Sequence, residues 1–277
     1  MMTADRLIRI HDPDDPRIAG YRDIRERDLI GRTGRFIAEG TVVLRLLIDS
    51  HASDGGFEAE SLLLLENRVE GLDEFLARTS DDVPAYVASR EIMNAIAGFD
   101  IHRGVLALGK RRGAPTVKAL IASMPAGALV VAACGIANHD NIGAIFRNAA
   151  AFGADALLLD ETCCDPLYRK ALRVSVGSVL RVPYARDGSI EAMLSTLSAN
   201  DFQIWGLSPG GTADIRNIQP APRLALLTGT EGEGLPQPIL QSIRTAKIPQ
   251  APGLDSLNAG TATGIALFAM ASVMKRI

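Results

Sequence analysis

Short apolar runs alternate with amphipathic stretches through the second half of the chain, and this alternation limits the possible folds more than any other feature. The runs have the length and continuous apolar character of strands that are buried on both faces. They lie at 128–133, 156–159, 203–207 and 224–228. Helical patterns separate or follow them, at about 142–152, 167–174, 190–197, 238–244 and 262–274. Strands that alternate with helices in this way predict an α/β domain built on a parallel sheet.

The residues before this domain suggest two further parts. The first 34 residues mix acidic and basic side chains with too few apolar residues for a core stripe, which favours a solvated arm or a surface helix. Residues 35–112 then alternate short strand and helix patterns, as a small α/β domain does. The charged, Gly- and Pro-containing stretch at 110–115 resembles a linker. We therefore predict an arm over 1–34, a small α/β domain over 35–112 and the parallel-sheet domain over 116–277.

Composition excludes several classes of protein. No apolar run approaches the roughly 20 residues of a transmembrane helix, and the first residues lack the apolar stretch of a secretory signal, so we expect a cytoplasmic protein without a membrane partner. Three cysteines and four histidines show no spacing suited to a metal, so none is expected. The net charge of −3 gives no global case for nucleic acid. Arginines, which pair with phosphate at two points, make up 24 of the 29 basic residues, but high-GC codon usage produces the same bias.

Three glycine-bearing polar segments follow strands of the second domain, at the strand ends where open α/β sheets collect ligands. The first, 138–153, also has the pattern of an ordinary capped amphipathic helix. Arg147 lies off the apolar stripe of this helix, where a surface ion pair and an active-site role are both open. The second, 226–236, is a buried strand that enters a glycine-rich loop, and glycines serve close ligand approach and ordinary turns equally well. The third, 248–264, is a polar loop in which Ser256 or Asn258 would also suit a helix cap.

Several familiar motifs are missing from the sequence. Neither a G-x-G-x-x-G fingerprint nor a G-x-x-x-x-G-K-[ST] loop occurs, which leaves no standard nucleotide-binding motif. A G-x-S-x-G nucleophile elbow is absent as well. Aromatic residues amount to 5%, too few for the stacking of several unpaired bases. The three polar segments therefore need another explanation.

Taken together and in this order, the three segments resemble the motifs of the SpoU (TrmH-like) branch of the SPOUT RNA methyltransferases. The first family motif has Asn and Arg six residues apart, matched by Asn141 and Arg147. The second is a strand that ends in Gly-x-Glu-x-x-Gly, matched by Gly229, Glu231 and Gly234. The third is Ile-Pro followed by Ser-Leu-Asn, matched by Ile248, Pro249, Ser256, Leu257 and Asn258. The resemblance covers about the last 150 residues and includes 168–177, which is similar to a segment common in the family.

Residues 35–112 resemble, more weakly, the small RNA substrate-binding domain that precedes many such catalytic domains. The similar stretches are 34–40 and 102–107. The chain departs from the family pattern at Thr230, often Asn, at Gln250, usually Met, and at Ala259-Gly260, often Val-Ser. These departures affect the fit of loops more than the named polar residues.

The resemblance implies an α/β fold with a trefoil knot near the carboxyl end, S-adenosylmethionine as the cofactor, and a homodimer joined through the knotted helices. It implies transfer of a methyl group to a ribose 2′-OH of rRNA or tRNA. The residues that it places against the cofactor are Thr228, Gly229, Gly234, Ile248 and Leu257. Its catalytic candidates are Arg147, Asn141, Glu231, Ser256 and Asn258. Candidate phosphate contacts are Arg169, Lys170 and Arg173, which would equally suit a solvated helix face.

Two other functions stay open at this point. The chain could be a catalytically silent RNA-binding protein, although its polar motifs are complete. It could also be a base methyltransferase of the same superfamily, although no residue is marked as a general base for a ring nitrogen. The family proposal makes Arg147 the base. The alternative is that its guanidinium, a very weak proton acceptor, anchors phosphate and stabilises developing negative charge.

Overall fold

The computed structural model describes residues 7–22, 26–97, 104–253 and 255–277. The chain forms two compact units. The first contains Met1–Gly113 and Leu167–Leu180, and the second contains Ala114–Pro166 and Arg181–Ile277. The change of unit after Gly113 lies within the expected linker. Leu167–Leu180, which the sequence analysis assigned to the second domain, belongs to the first unit.

The first unit is built on a five-stranded mixed sheet in the order β1-β4-β3-β5-β2. Its strands are β1 (Leu7–Ile10), β2 (Arg35–Glu39), β3 (Phe57–Leu65), β4 (Ala85–Ala88) and β5 (Val105–Arg111). Its helices are α1 (Glu26–Thr33), α2 (Thr41–Ala52), α3 (Glu66–Val69), α4 (Asp73–Arg78), α5 (Arg90–Ala97) and α8 (Arg169–Val174). β1 and β3 run parallel to β4, whereas β5 is antiparallel to β3 and β2.

The described part of the first 34 residues is not the solvated arm that the sequence suggested. β1 pairs with β4 along its whole length, and Ile18 and Tyr21 are buried in the core of the unit. The Tyr21 hydroxyl lies 2.8 Å from the Ser61 carbonyl oxygen and accepts a hydrogen bond from the Leu108 N–H at 3.0 Å. The expectation was wrong because four strand residues and a single 3₁₀ turn bury apolar side chains without producing a helical stripe.

Leu167–Leu180 completes this unit from a distant part of the sequence. α8 packs against β2, and the 3₁₀ turn Ser178–Leu180 packs against α2. After α8 the Gly177 N–H bonds to the Leu172 carbonyl at 2.9 Å, which closes the helix end. Val176, at the position where such ends usually have glycine, has a left-handed φ of 51°. A β-branched residue in this conformation is strained.

The second unit is built on a seven-stranded sheet in the order β10-β12-β9-β11-β6-β7-β8. All of its strand pairs are parallel. The strands are β6 (Ala128–Ala133), β7 (Ala156–Leu159), β8 (Tyr184–Arg186), β9 (Gln203–Leu207), β10 (Ala213–Asp214), β11 (Arg223–Thr228) and β12 (Arg244–Lys247). The helices are α6 (Val117–Ala122), α7 (His139–Ala151), α9 (Ile190–Ala199), α10 (Gln237–Ser242) and α11 (Ala259–Val273). The predicted parallel sheet and its four central strands are confirmed.

Helices cover both faces of this sheet. Residues of α6, α9 and α10 share one hydrophobic core with the sheet, while α7 packs against β7 and α11 against β11 and α7. The contact of α7 with α11 is close, because a Cβ on Gly260 would stand 2.7 Å from the Ala144 Cβ. Among the described residues, no helix is both long and apolar enough to cross a bilayer.

The chain end is tied back onto the sheet. Arg276 donates to the carbonyl oxygens of Gly153 and Gly127, at 2.7 and 2.8 Å, and forms an ion pair with Asp155 at 2.8 Å. These bonds follow directly after α11, so they fix the end of that helix beside β6 and β7.

Candidate active site

The carboxyl ends of β9, β11 and β12 meet at one edge of the sheet of the second unit, because the three strands are parallel neighbours. The residues that follow these strands, together with the loop before α11, surround a cavity of about 380 Å³. Its lining includes Leu207–Pro209, Thr228–Leu235, Ile248, Gln250 and 256–259. A ligand site at this edge is what the topology of an open parallel sheet favours.

A glycine-rich loop forms one wall of the cavity. Thr230 and Gly234 exchange backbone hydrogen bonds of 3.2 Å, so the loop folds back on itself directly after β11. Gly232 and Gly234 have φ values of 87° and 71°. A Cβ on Gly229 would stand 2.4 Å from the carbonyl carbon of Gly234. The tight fold of the loop therefore requires glycine at these positions.

Three side chains from the three sequence motifs form a closed hydrogen-bond ring. Asn141 Nδ2 donates to Glu231 Oε1. Asn258 Nδ2 donates to Asn141 Oδ1 at 2.8 Å and to Glu231 Oε1 at 2.9 Å. The Glu231 carboxylate thus accepts from two amides, which makes it an orienting group and leaves it poorly placed as a free base.

The two asparagines hold these positions because each lies at the start of a helix. Asn138 caps α7 by accepting the Asp140 N–H at 2.8 Å, which places Asn141 in the first turn, where it is 3% exposed. Asn258 itself caps α11, since its Oδ1 accepts the Thr261 N–H at 3.1 Å. Capping and membership of the ring are therefore simultaneous roles of Asn258. The two interpretations of this residue are compatible.

The residues that the resemblance placed against the cofactor all line the cavity. They are Thr228, Gly229, Gly234, Ile248 and Leu257. Ser256, Glu231 and Asn258, from the catalytic group, line it as well. The structure therefore brings the second and third motifs to one cavity, and Asn141 joins them through the ring.

Arg147 is not brought to this cavity. It lies on α7 one and a half turns after Asn141, its side chain is exposed, and it has no hydrogen bond or ion pair with the residues that the structure describes. Its neighbours Ala144 and Asn148 line a second, open groove between α7 and α11, to which Asn258 also contributes. Asn258 is therefore shared by the cavity and the open groove.

The three candidate phosphate contacts lie in the first unit. Arg169, Lys170 and Arg173 are on α8, where Lys170 and Arg173 are exposed and Arg169 is half-buried. Ala171 and Leu172 form the buried side of the same helix. The sequence pattern placed these basic residues within the catalytic domain, whereas the structure places them in the other unit.

Several residues of the site were not singled out from the sequence. Leu207, Ser208 and Pro209 line the cavity, and their position at the end of a predicted strand was the available signal. Asn148 donates to the Gly260 carbonyl at 2.8 Å and so joins α7 to α11. Gln250 lines the cavity, and the sequence marked it only as a departure from a family pattern.

The cysteines near the strand ends are buried or half-buried thiols with raised pKa values. Burial, followed by the nearby Asp160 carboxylate, raises the pKa of the Cys134 thiol to about 12. Burial also raises the pKa of Cys163, and that of Cys164 to about 11. Asp160 itself accepts backbone hydrogen bonds from Gly135 and Cys163, which orders the loops after β6 and β7. Within the described ranges no three His, Cys, Asp or Glu side chains are grouped to hold a metal ion.

Fold and site together define a two-unit α/β protein with a glycine-walled ligand cavity at the edge of a parallel sheet. Residues 128–268 match the model of the SpoU rRNA methylase family. An uncharacterised tRNA/rRNA methyltransferase of Mycobacterium bovis is 38% identical over 267 residues, which cover 93% of this chain and 89% of that protein. The chain therefore belongs to the SpoU rRNA methylase family, a family of RNA methyltransferases.

Solved structures agree with this assignment. The chain is similar to an rRNA methyltransferase from Sinorhizobium meliloti crystallised with S-adenosylmethionine, with a TM-score of 0.79 and 27% identity, over 96% of this chain and 97% of that one. It has the same fold as an RNA 2′-O-ribose methyltransferase, with a TM-score of 0.76 and 24% identity, over 98% and 100% of the two chains. The likeness spans both units.

Proposed function

We propose that the protein transfers a methyl group from S-adenosylmethionine to a ribose 2′-OH of rRNA or tRNA. The observation that carries this proposal is the ring of Asn141, Glu231 and Asn258 at the wall of the cavity. It draws one polar side chain from each of the three segments that resemble the family motifs. The Sinorhizobium meliloti relative, whose structure contains the cofactor, supports the choice of donor.

The cavity suits the proposed cofactor in size and chemistry. Its volume of about 380 Å³ lies within the range of small-ligand sites. Leu207, Leu235, Ile248 and Leu257 give it apolar walls for a base, and Glu231 supplies a carboxylate for a positively charged group. Gly229, Gly232 and Gly234 of the loop line the cavity with backbone alone. When bound, S-adenosylmethionine supplies an electrophilic methyl group on its sulfonium sulfur.

Arg147 is our candidate for the residue that handles the target ribose. A guanidinium stays protonated at neutral pH and makes a poor base, so we assign Arg147 the binding of the neighbouring phosphate and the stabilisation of the developing alkoxide. A water molecule or a phosphate oxygen would take the hydroxyl proton. Asn141 and Asn258 would orient the ribose or Arg147, and Ser256, at the cavity wall, the target phosphate. Glu231 would hold the two amides in place.

A homodimer would give Arg147 a cavity to act on. The groove between α7 and α11 is lined by Phe152, Ile265 and Phe268, and the last two are 40% and 55% exposed. Large apolar side chains at such exposure favour a protein contact, and Asn258 connects this groove with the cavity. We therefore propose that a second copy packs on α7 and α11. Sedimentation analysis should find a dimer, and Phe268→Asp should yield monomers.

We also propose that the carboxyl end of the chain forms a trefoil knot. β11 lies between β9 and β6, and β12 between β9 and β10, so late strands are inserted among earlier ones. α11 then returns to pack on α7 and β11. A chain that inserts strands and afterwards doubles back over them is what a threaded carboxyl end would require. A crystal structure traced through 228–260 would test the threading directly.

The first unit is our candidate for RNA binding, through Arg169, Lys170 and Arg173. Lys170 and Arg173 are exposed on α8, whereas Ala171 and Leu172 are buried. Removing a phosphate contact lowers both the affinity for RNA and the slope of log K against log salt, by about one per contact. Arg173→Ala should reduce the slope, whereas Arg90→Ala, which removes an exposed arginine on α5, should not. Equal slopes for both variants would remove α8 from the RNA-binding surface.

Two measurements test the reaction itself. Calorimetric titration with S-adenosylmethionine should release or absorb heat at a stoichiometry near one per chain, and no binding would favour a silent RNA-binding protein. Nucleoside mass spectrometry of rRNA and tRNA from a deletion strain should reveal one missing 2′-O-methylated nucleoside. A missing base-methylated nucleoside would instead identify a base methyltransferase.

Substitutions at Arg147 separate its two possible roles. Arg147→Ala should abolish methyl transfer while cofactor binding persists, because the side chain does not line the cavity. Arg147→Lys keeps the charge but loses the two-point contact with phosphate, so it should lose most of the activity. Full activity of Arg147→Lys would contradict phosphate clamping. Arg181→Ala, which removes an exposed arginine of the same unit, is the matched control and should leave activity unchanged.

A further inference from the structure

Among the described residues that line the cavity, one has a solvent-shielded side-chain oxygen without a hydrogen bond. Gln250 Oε1 is shielded from solvent and has no hydrogen-bond partner among the residues that the structure describes. The side chain of Gln250 is half-buried and lines the cavity three residues after the end of β12. A buried carbonyl oxygen without a donor is unfavourable, so a ligand that supplies an N–H or O–H would be favoured here.

The surroundings of Gln250 indicate which kind of donor this is. Ile248 and Leu257 also line the cavity and provide apolar surface, whereas Glu231 and Glu233 lie on the glycine-rich loop that forms one wall. Carboxylates attract the cationic part of a ligand, and apolar walls accommodate a planar base. An uncharged amide oxygen is therefore better matched to an uncharged donor on the base than to the cationic part.

We propose that Gln250 Oε1 accepts a hydrogen bond from the exocyclic amine of the cofactor's adenine, so that Gln250 determines specificity for the base of the cofactor. The inference rests on the proposed function, because it places S-adenosylmethionine in this cavity. A base that lacks the amine would leave this oxygen without its donor and bind less well.

Two ligands that differ only at this position test the proposal. S-Adenosylhomocysteine carries the amine, and the corresponding 6-unsubstituted purine nucleoside thioether carries a hydrogen atom in its place. Calorimetric titration of the wild-type protein should find the adenosyl compound bound at least about tenfold more tightly, the worth of one matched hydrogen bond. Gln250→Met keeps the length and volume of the side chain but has no amide. It should lose about tenfold in affinity for the adenosyl compound and reduce the preference to about twofold or less.

Further variants make the outcome specific to this oxygen. Gln250→Glu retains an acceptor and should retain the preference for the amine. Gln241→Met, on the exposed side of α10, should change neither affinity. Unchanged thermal unfolding of the variants would show that the cavity stays folded.

Different results would overturn different statements. If Gln250→Met weakens both ligands equally, or neither, Gln250 does not read the base and this inference fails while the proposed function stands. If the wild-type protein binds neither ligand, the proposed cofactor site fails, and this inference falls with it.

Discussion

Replacing Gly260 with alanine should destabilise the second unit, although alanine is the better helix former. Gly260 lies in the first turn of α11, and its added methyl carbon would stand 2.7 Å from the Ala144 Cβ. Methyl carbons in contact are about 3.5–4.0 Å apart. The Ala144 methyl has no rotamer that moves it away, so α11 must shift from α7 by about 1 Å to restore that contact.

This shift stretches two hydrogen bonds that depend on the approach of the helices. One joins Asn148 Nδ2 to the Gly260 carbonyl, and the other joins Asn258 Nδ2 to Asn141 Oδ1, each at 2.8 Å. Each is worth about 1 kcal/mol, and overpacking costs typically about 1–3 kcal/mol. The gain in helix propensity is about 1 kcal/mol. If both bonds are lost, we expect a net loss of about 2–4 kcal/mol in the free energy of unfolding.

Gly264→Ala is the matched control, because it lies in the same helix and gains the same propensity. The atom nearest to its added methyl is Asn148 Nδ2 at 2.7 Å, which is the end of a flexible side chain. Moving this amide costs at most its bond to the Gly260 carbonyl, about 1 kcal/mol, which the gain in helix propensity offsets, so the net change should stay within about 1 kcal/mol. Guanidinium denaturation followed by circular dichroism would measure both variants. If Gly260→Ala is as stable as Gly264→Ala or the wild type, the close approach of α7 and α11 at Gly260 does not hold the hydrogen-bond ring in place.

Other substitutions probe the first unit and the cysteines. Val176→Gly should raise its free energy of unfolding by about 1 kcal/mol, because glycine relieves the left-handed strain at φ 51°; an unchanged melting temperature would count against that strain. Gly31→Ala should stabilise by about 0.5–1 kcal/mol, since a Cβ there meets no atom within 4 Å in α1. Tyr21→Phe should cost about 1–3 kcal/mol by leaving the buried Leu108 N–H without its acceptor, and a neutral result in chemical denaturation would contradict this. Cys164 should resist alkylation at pH 8 and react faster as the pH approaches its raised pKa of about 11, a rise that mass spectrometry can follow.

The strands that the sequence predicted are those in which burial produces a recognisable pattern of apolar residues. β6 and β11 are buried along nearly their whole length, so they appear as continuous apolar runs. β12 was missed because only its two central residues are buried, while Arg244 and Lys247 at its ends are exposed. β8 has three residues and β10 has two, so these strands are too short to show a periodic pattern in the sequence.

The site was predictable as a set of residues but not as an arrangement. Asn141 and Asn258 are 117 positions apart, and only their resemblance to family motifs connected them before the structure was known. The bond between them depends on how closely α7 and α11 approach, which is set by packing at Gly260. The position of Arg147 was not predictable, because its place in a motif gave no information about whether it reaches the cavity of its own chain.

The assignment of α8 to the first unit was beyond the sequence pattern for a related reason. Its alternation with β7 and β8 is what a crossover helix of the parallel sheet would show. The buried side of α8 nevertheless packs against β2. Periodicity identifies the helix and its apolar face but carries no information about which sheet receives that face.

The position of Leu167–Leu180 in the sequence, far from the rest of the first unit, affects the order in which that unit can fold during synthesis. The first unit lacks α8 until residue 180 has been synthesised, and by then the residues of β6, α7 and β7 of the second unit have been synthesised as well. Separate domains along a nascent chain can each fold before the next one is synthesised. The first unit cannot, because part of the second unit is synthesised before α8. A gene fragment that stops at Gly113 would encode a sheet without one of its packing helices, so exchange of this unit between proteins by a single recombination event would be disfavoured.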